Sequence, residues 1–168
     1  VHDMLNHLKQ NINDWTNETE IQNYLERIVK GTAYDGSGLI YGIGHAVYTL
    51  SDPRAVLLKG MARQLAQEKG RTKEFEFMER IERLAVAAIH DVKGKQKNFC
   101  ANVDFYSGFV YDLIGLPVEI YTPLFAMARI VGWCAHRNEE LCFSGRRIIR
   151  PAYRCVADIR NYTPINQR

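Results

Sequence analysis

Apolar residues recur at helical spacing along most of the chain. Met4, Leu5, Leu8 and Ile12 predict a first helix over about 2–12, and Ile21, Leu25, Ile28 and Val29 a second from Glu18 to Lys30, stopped at Gly31. A third helix opens at Asp52-Pro53, where Asp serves as N-cap and Pro occupies the first helical position, and carries Val56, Leu57, Met61 and Leu65 to Gly70. A fourth runs from Thr72 through Phe77, Met78, Ile81, Leu84 and Ile89 to Gly94. A short fifth starts with Asp104 as its N-cap and ends at Gly115-Leu116-Pro117. Residues 118–143 are apolar nearly all round, so a helix there expects neighbours on every side. Nowhere do apolar and polar residues alternate strictly, which assigns the chain to the all-α class. The longest irregular stretch, 31–50, holds five glycines in its first fourteen positions.

Bulk properties narrow the function little. At 168 residues, 46% hydrophobic and 24% charged, the chain is ordinary for a globular protein, and its formal charge of +3 does not call for nucleic acid or an anionic membrane. No apolar run reaches the roughly 20 residues of a membrane span, and the first ten residues have no signal-peptide core. The four cysteines, Cys100, Cys134, Cys142 and Cys155, form no C-x-x-C pair. Cys134 and Cys142 lie in the apolar stretch and read as buried thiols in a reducing, cytoplasmic compartment. His2 and His7 fall on different faces of one helix, so no metal pair is expected there.

Four residues and a basic tail stand out chemically. His45 follows the turn Gly42-Ile43-Gly44 and reads either as a polar loop residue or as a general acid facing a carbonyl that the glycines let approach. A dinucleotide fingerprint is excluded, because Val47 stands where its third glycine belongs. Arg54 sits in the first turn of the third helix, against the helix dipole, and reads either as a solvated cation or as one that faces an anion such as a carboxylate. Asp104 is explained by capping alone; it equally suits a general base, since a helix N-terminus favours the ionised carboxylate. Arg129 is the single cation between Thr122 and Ala135, and a buried arginine must be paired with protein or ligand. Arg146, Arg147, Arg150 and Arg154 make a basic tail without the interleaved aromatics of a nucleic-acid binder.

The segments GIGHAVYTLSDPR, NVDFYSG, FAMARIVGW and RRIIRPAY stand in the order and spacing of the citrate synthase family, so the chain resembles the C-terminal part of a bacterial-type member. The resemblance implies an all-α, homodimeric enzyme that joins acetyl-CoA to oxaloacetate, needs no resident cofactor or metal, and acts away from nucleic acid and membranes. It implies a small domain over 1–115 and a return to the large domain over 116–168. By the same resemblance His45 meets the oxaloacetate carbonyl and Asp104 removes the acetyl methyl proton. Arg54, Arg129 and Arg150 hold substrate carboxylates, with Arg150 reaching the other subunit. Leu39, Ile40, Tyr41, Gly42, Ile43 and Gly44 form the backbone against which CoA packs.

Two departures accompany the likeness. The family's further catalytic histidine, the donor to the enol oxygen, falls before Val1, so the isolated chain is expected to be inactive. Thr49 stands where the family often has a cation for a CoA phosphate, which leaves Lys59 or groups outside the chain. Two other readings compete. One is 2-methylcitrate synthase, with propionyl-CoA as acyl donor, because one methylene discriminates by only about 1–3 kcal/mol. The other is a non-catalytic helical binding module with a basic tail.

Overall fold

The computed structural model describes residues 1–94, 98–142, 161 and 163–167. Among them are six α-helices: α1 (His2–Asn11), α2 (Glu18–Val29), α3 (Pro53–Glu68), α4 (Thr72–Lys93), α5 (Val103–Leu113) and α6 (Tyr121–Cys142). The described residues form no strand; the single β-type pairing is an isolated antiparallel bridge between Ile43 and Ala101. All-α is therefore the fold class. The chain divides into two compact units, Val1–Leu124 and Phe125–Arg168. Within the first, the Tyr121 ring packs edge-on against Tyr111, at 5.0 Å, and against His2, at 5.9 Å.

Helix ends follow local chemistry. Asn17 caps α2 by accepting from the Glu20 N–H, and Glu18 and Glu20 put negative charge on its first turn. Asp52 caps α3, with Pro53 next, as the sequence predicts. The fifth helix differs: its cap is Asn102, whose side chain accepts from the Asp104 N–H, so Asp104 lies inside the first turn. Asn and Asp cap about equally well, and the earlier of the two holds the position.

The core of the first unit closes around α4. Phe75, Phe77, Met78, Ile81, Leu84, Ala85, Ala88 and Ile89 are buried along it, facing Ile21, Leu25, Ile28 and Val29 of α2 and Met4, Leu5 and Leu8 of α1. Trp15 stacks on Phe77 with ring centres 4.9 Å apart, a geometry worth about 0.5–1.5 kcal/mol beyond its area. The third helix corrects the sequence reading. Val56, Leu57 and Met61 are 59%, 73% and 57% exposed, while Ala55, Ala62 and Ala66 are buried. Small residues let α3 lie close to α5 and α4, and ions fix its rotation: Lys59 pairs with Glu82 at 2.7 Å and Glu79 at 3.2 Å, and Arg63 with Glu79 at 2.7 Å. The buried Tyr106 hydroxyl of α5 donates to the same Glu82 at 2.6 Å, joining all three helices.

The apolar segment after Pro117 begins with a 3-10 turn, Val118–Ile120, and continues as α6. No residue of α6 is buried. Ile130, Val131 and Trp133 are exposed, and so are Cys134 and Cys142, contrary to the expectation of buried thiols. An apolar sequence states what a helix requires; burial needs a partner surface.

Candidate functional site

The glycine turn and the start of α5 form one locked piece of backbone. Gly44 N–H donates to Cys100 O at 2.8 Å, and Asn102 N–H donates to Gly42 O at 2.9 Å, on either side of the Ile43–Ala101 bridge. Gly42 has φ +89°, and a Cβ there would lie 2.9–3.1 Å from side-chain and backbone atoms of Phe105. Only glycine fits. The missing side chain of Gly42 is what admits Phe105 of α5. Gly44, at φ +108°, needs glycine for its backbone angle, since its nearest neighbour, the Phe99 ring, would sit at an ordinary 3.7 Å. Of the other loop residues assigned to CoA, Ile40 is buried, Tyr41 and Ile43 are half-buried and Leu39 is exposed. Tyr41 donates its hydroxyl to Asp35 at 2.8 Å.

His45 leaves this turn with its ring fixed by its own backbone. Nδ1 accepts from the N–H groups of Val47 and Tyr48, both at 3.0 Å. Two donors at Nδ1 assign the ring proton to Nε2. The guanidinium Nη2 of Arg54 stands 3.2 Å from that Nε2. A guanidinium has no acceptor. With the proton on Nε2 the two nitrogens are adjacent donors, and an acceptor oxygen bridging their open edge would satisfy both.

Arg54 is held in turn by Asp52. The carboxylate accepts from Arg54 N–H and Nε at 3.0 Å and from Nη2 at 2.8 Å. The Asp52 side chain has no exposed surface, whereas Arg54 is half exposed. These hydrogen bonds hold the Asp52 carboxyl well down, at about 2, against the opposing effect of burial. The same bonds raise Arg54, with smaller contributions from the fields of Tyr48 and Asp104. The anion that Arg54 faces is thus first its own capping residue, and a ligand carboxylate would use the exposed edge of the fork. Asp104 is exposed on the first turn of α5, close enough for Arg54 to feel its charge.

His45 and Arg54 are accordingly brought together, and Asp104 opens the helix that Asn102 ties to the turn before His45. Arg129 is not in a dry setting: it is exposed on α6, donates to Phe125 O at 3.3 Å and stacks over the Phe125 ring at 4.4 Å. Its expected burial is corrected on the same ground as that of the α6 cysteines. Arg150 lies outside the described residues, as do Arg146, Arg147 and Arg154. A cavity of about 760 Å³ between α3 and α4 is lined by Asp52, Lys59, Glu79, Glu82, Arg83 and Phe99 among others, and contains none of His45, Arg54 or Asp104. Each of the three is instead exposed or half-buried and set by local hydrogen bonds. Among the described residues no group of His, Cys, Asp or Glu is arranged to hold a metal, and no helix is long and apolar enough to cross a membrane. The sequence reading missed two supporting residues. Asp52 is visible as a cap, and the arginine two positions on signals its second role; Asn102 has no comparable local signal.

Residues 1–152 match the family model described as citrate synthase, C-terminal domain. The citrate synthase of Synechocystis is 39% identical over 130 residues, covering 77% of this chain and 31% of its own length. That of Acidithiobacillus ferridurans is 42% identical over 133 residues, covering 77% and 32%. The chain thus spans about a third of the length of these relatives. Among solved structures, the ternary complex of Thermoplasma acidophilum citrate synthase with carboxymethyl coenzyme A and oxaloacetate superposes with a TM-score of 0.64 at 31% identity, covering 98% of this chain and 40% of that one. The Pyrobaculum aerophilum citrate synthase gives 0.65 at 29% identity, covering 99% and 38%. With the family model spanning most of its length, the chain belongs to the citrate synthase family.

Proposed function

We propose that this chain supplies one wall of an active site that condenses acetyl-CoA with oxaloacetate. The observation that carries the reading is the pair of adjacent donors, His45 Nε2–H and Arg54 Nη2, on a turn that Asn102 ties to the first turn of the Asp104 helix. Asp104 takes a proton from the acetyl methyl group, and the resulting enol carbon attacks the keto carbon of oxaloacetate. His45 donates to the keto oxygen as it gains charge, where a fixed donor lowers the barrier most. Arg54 holds a carboxylate, with Arg129 and Arg150 as further carboxylate ligands. Water then hydrolyses the citryl thioester to citrate and CoA, so the sum balances without a redox partner or resident cofactor. The thioester enters as a substrate along the turn 39–44, through Leu39 and the half-buried Tyr41, Ile43 and Gly44. The exposed apolar side chains of α6 support the homodimer that the family resemblance implies.

The test joins this segment to the remaining, N-terminal part of the Synechocystis relative and follows CoA thiol release with oxaloacetate present. Citrate formation is expected, falling about 10²–10⁴-fold in Asp104→Asn and His45→Ala. Little or no turnover is expected from the 168-residue chain alone. A folded, active chimera whose rate is indifferent to both substitutions would overturn the reading. Comparing kcat/KM for acetyl-CoA and propionyl-CoA on the same chimera decides the acyl donor.

A further inference from the structure

Through its backbone and side-chain groups, Asn102 joins the turn of His45 to the helix of Asp104. Its N–H donates to Gly42 O at 2.9 Å, and its C=O accepts from Phe105 N–H at 3.1 Å. Its side-chain oxygen accepts from Asp104 N–H at 3.0 Å, and its side-chain NH₂ donates to Gly44 O at 2.9 Å. The amide orientation is unambiguous, because a backbone N–H can only donate and a backbone C=O can only accept. The last bond spans 58 positions of chain and ends on the peptide that leads into His45. Gly44, at φ +108°, is a backbone position with little side-chain restraint of its own.

We infer that Asn102 is a positioning residue: through one side chain it sets the His45 ring and the Asp104 carboxylate in fixed register. The inference rests on the roles proposed above for those two residues. Capping alone would not require asparagine, since Asp and Ser cap helices about as well. Neither can donate to Gly44 O across the same gap: a carboxylate is acceptor-only, and a serine hydroxyl is too short. Without that donor the peptide between Gly44 and His45 turns more freely. The His45 Nδ1 then leaves the Val47 and Tyr48 N–H groups that fix its tautomer.

The test uses Asn102→Ser and Asn102→Asp, the first adding no charge beside Asp104. In the 168-residue chain with ¹⁵N-labelled histidine, His45 is assigned by the signal missing from His45→Gln. The wild-type ring, observed neutral, is expected to show Nδ1 as an acceptor and Nε2 protonated. Both variants are expected to show averaged tautomers at His45, while helix content is kept and the melting midpoint stays within about 2–4 °C. In the citrate-forming chimera, Asn102→Ser should lower kcat about 10–100-fold with little change in KM, as misplacement of a catalytic group does. Unchanged His45 signals in both variants would overturn the inference. So would unfolding of both, since the donor would then hold the fold and not the ring. If the chimera makes no citrate while the His45 signals respond as expected, the proposed reaction falls and the coupling stands.

Discussion

Asp52 shows how one side chain joins stability to chemistry. It caps α3, has no exposed side-chain surface and holds the Arg54 fork in place. Its carboxyl lies at about 2, below the ordinary 3.8, mainly because Arg54 donates to it. A carboxyl depressed in the folded state stabilises the fold above its unfolded value, and that contribution is lost as pH falls through the folded value. Acid unfolding should therefore steepen between about pH 4 and 2, and Asp52→Asn should flatten this limb. The flattening will be partial, since Glu74, held at about 2 by Arg71 and Lys9, titrates over the same range. Urea midpoints from pH 6 to 2 measure it; identical profiles for the two proteins would contradict the account. Legibility at this scale is uneven. His45, Arg54 and Asp104 stand out as charge or titratable chemistry in telling places. Asn102 does not, because its meaning depends on carbonyls distant in sequence, and Asp104 reads as the cap because either acid or amide serves there.

At the scale of elements, helix boundaries are the most legible feature: Asp52-Pro53, Gly70, Gly94 and Gly115 are local stop and start signals that act in the isolated sequence. Helix rotation is not. On α3 the larger apolar residues Val56, Leu57 and Met61 suggest one face, whereas close approach to α5 and the Lys59 and Arg63 ion pairs select the alanines. Glycines divide along the same line. Gly60, in the middle of α3, has nothing within 4 Å of an added Cβ, so Gly60→Ala should stabilise the chain by about 0.5–1 kcal/mol. Gly42→Ala meets Phe105 and a left-handed φ, and should cost about 2 kcal/mol or more. Denaturant midpoints moving in the same direction for both would refute this contrast.

At the scale of the molecule, the buried core among the described residues belongs to residues 1–124. It draws on α1 to α5, and no residue of α6 is buried. A chain ending at Leu124 should therefore keep one cooperative thermal transition, with its midpoint within about 2–4 °C of the parent. Hydrogen exchange should find the slowest amides on α4 in both. Loss of the transition on truncation would show that the core depends on residues 125–168. The apolar character of 118–143 is plain in the sequence, yet Arg129 and the cysteines there are exposed, because burial is a property of two surfaces and a sequence displays one.

The stacking of Trp15 on Phe77 gives the molecule a built-in optical label. The chain has two tryptophans: Trp15 in the first unit, and Trp133, 56% exposed, on α6 in the second. Emission at the blue edge belongs to Trp15 and at the red edge to Trp133, the component that dissolved acrylamide or iodide quenches first. Whatever comes to cover α6 would announce itself as a blue shift and a loss of quenching in that red component alone, while Trp15 continues to report the state of the core.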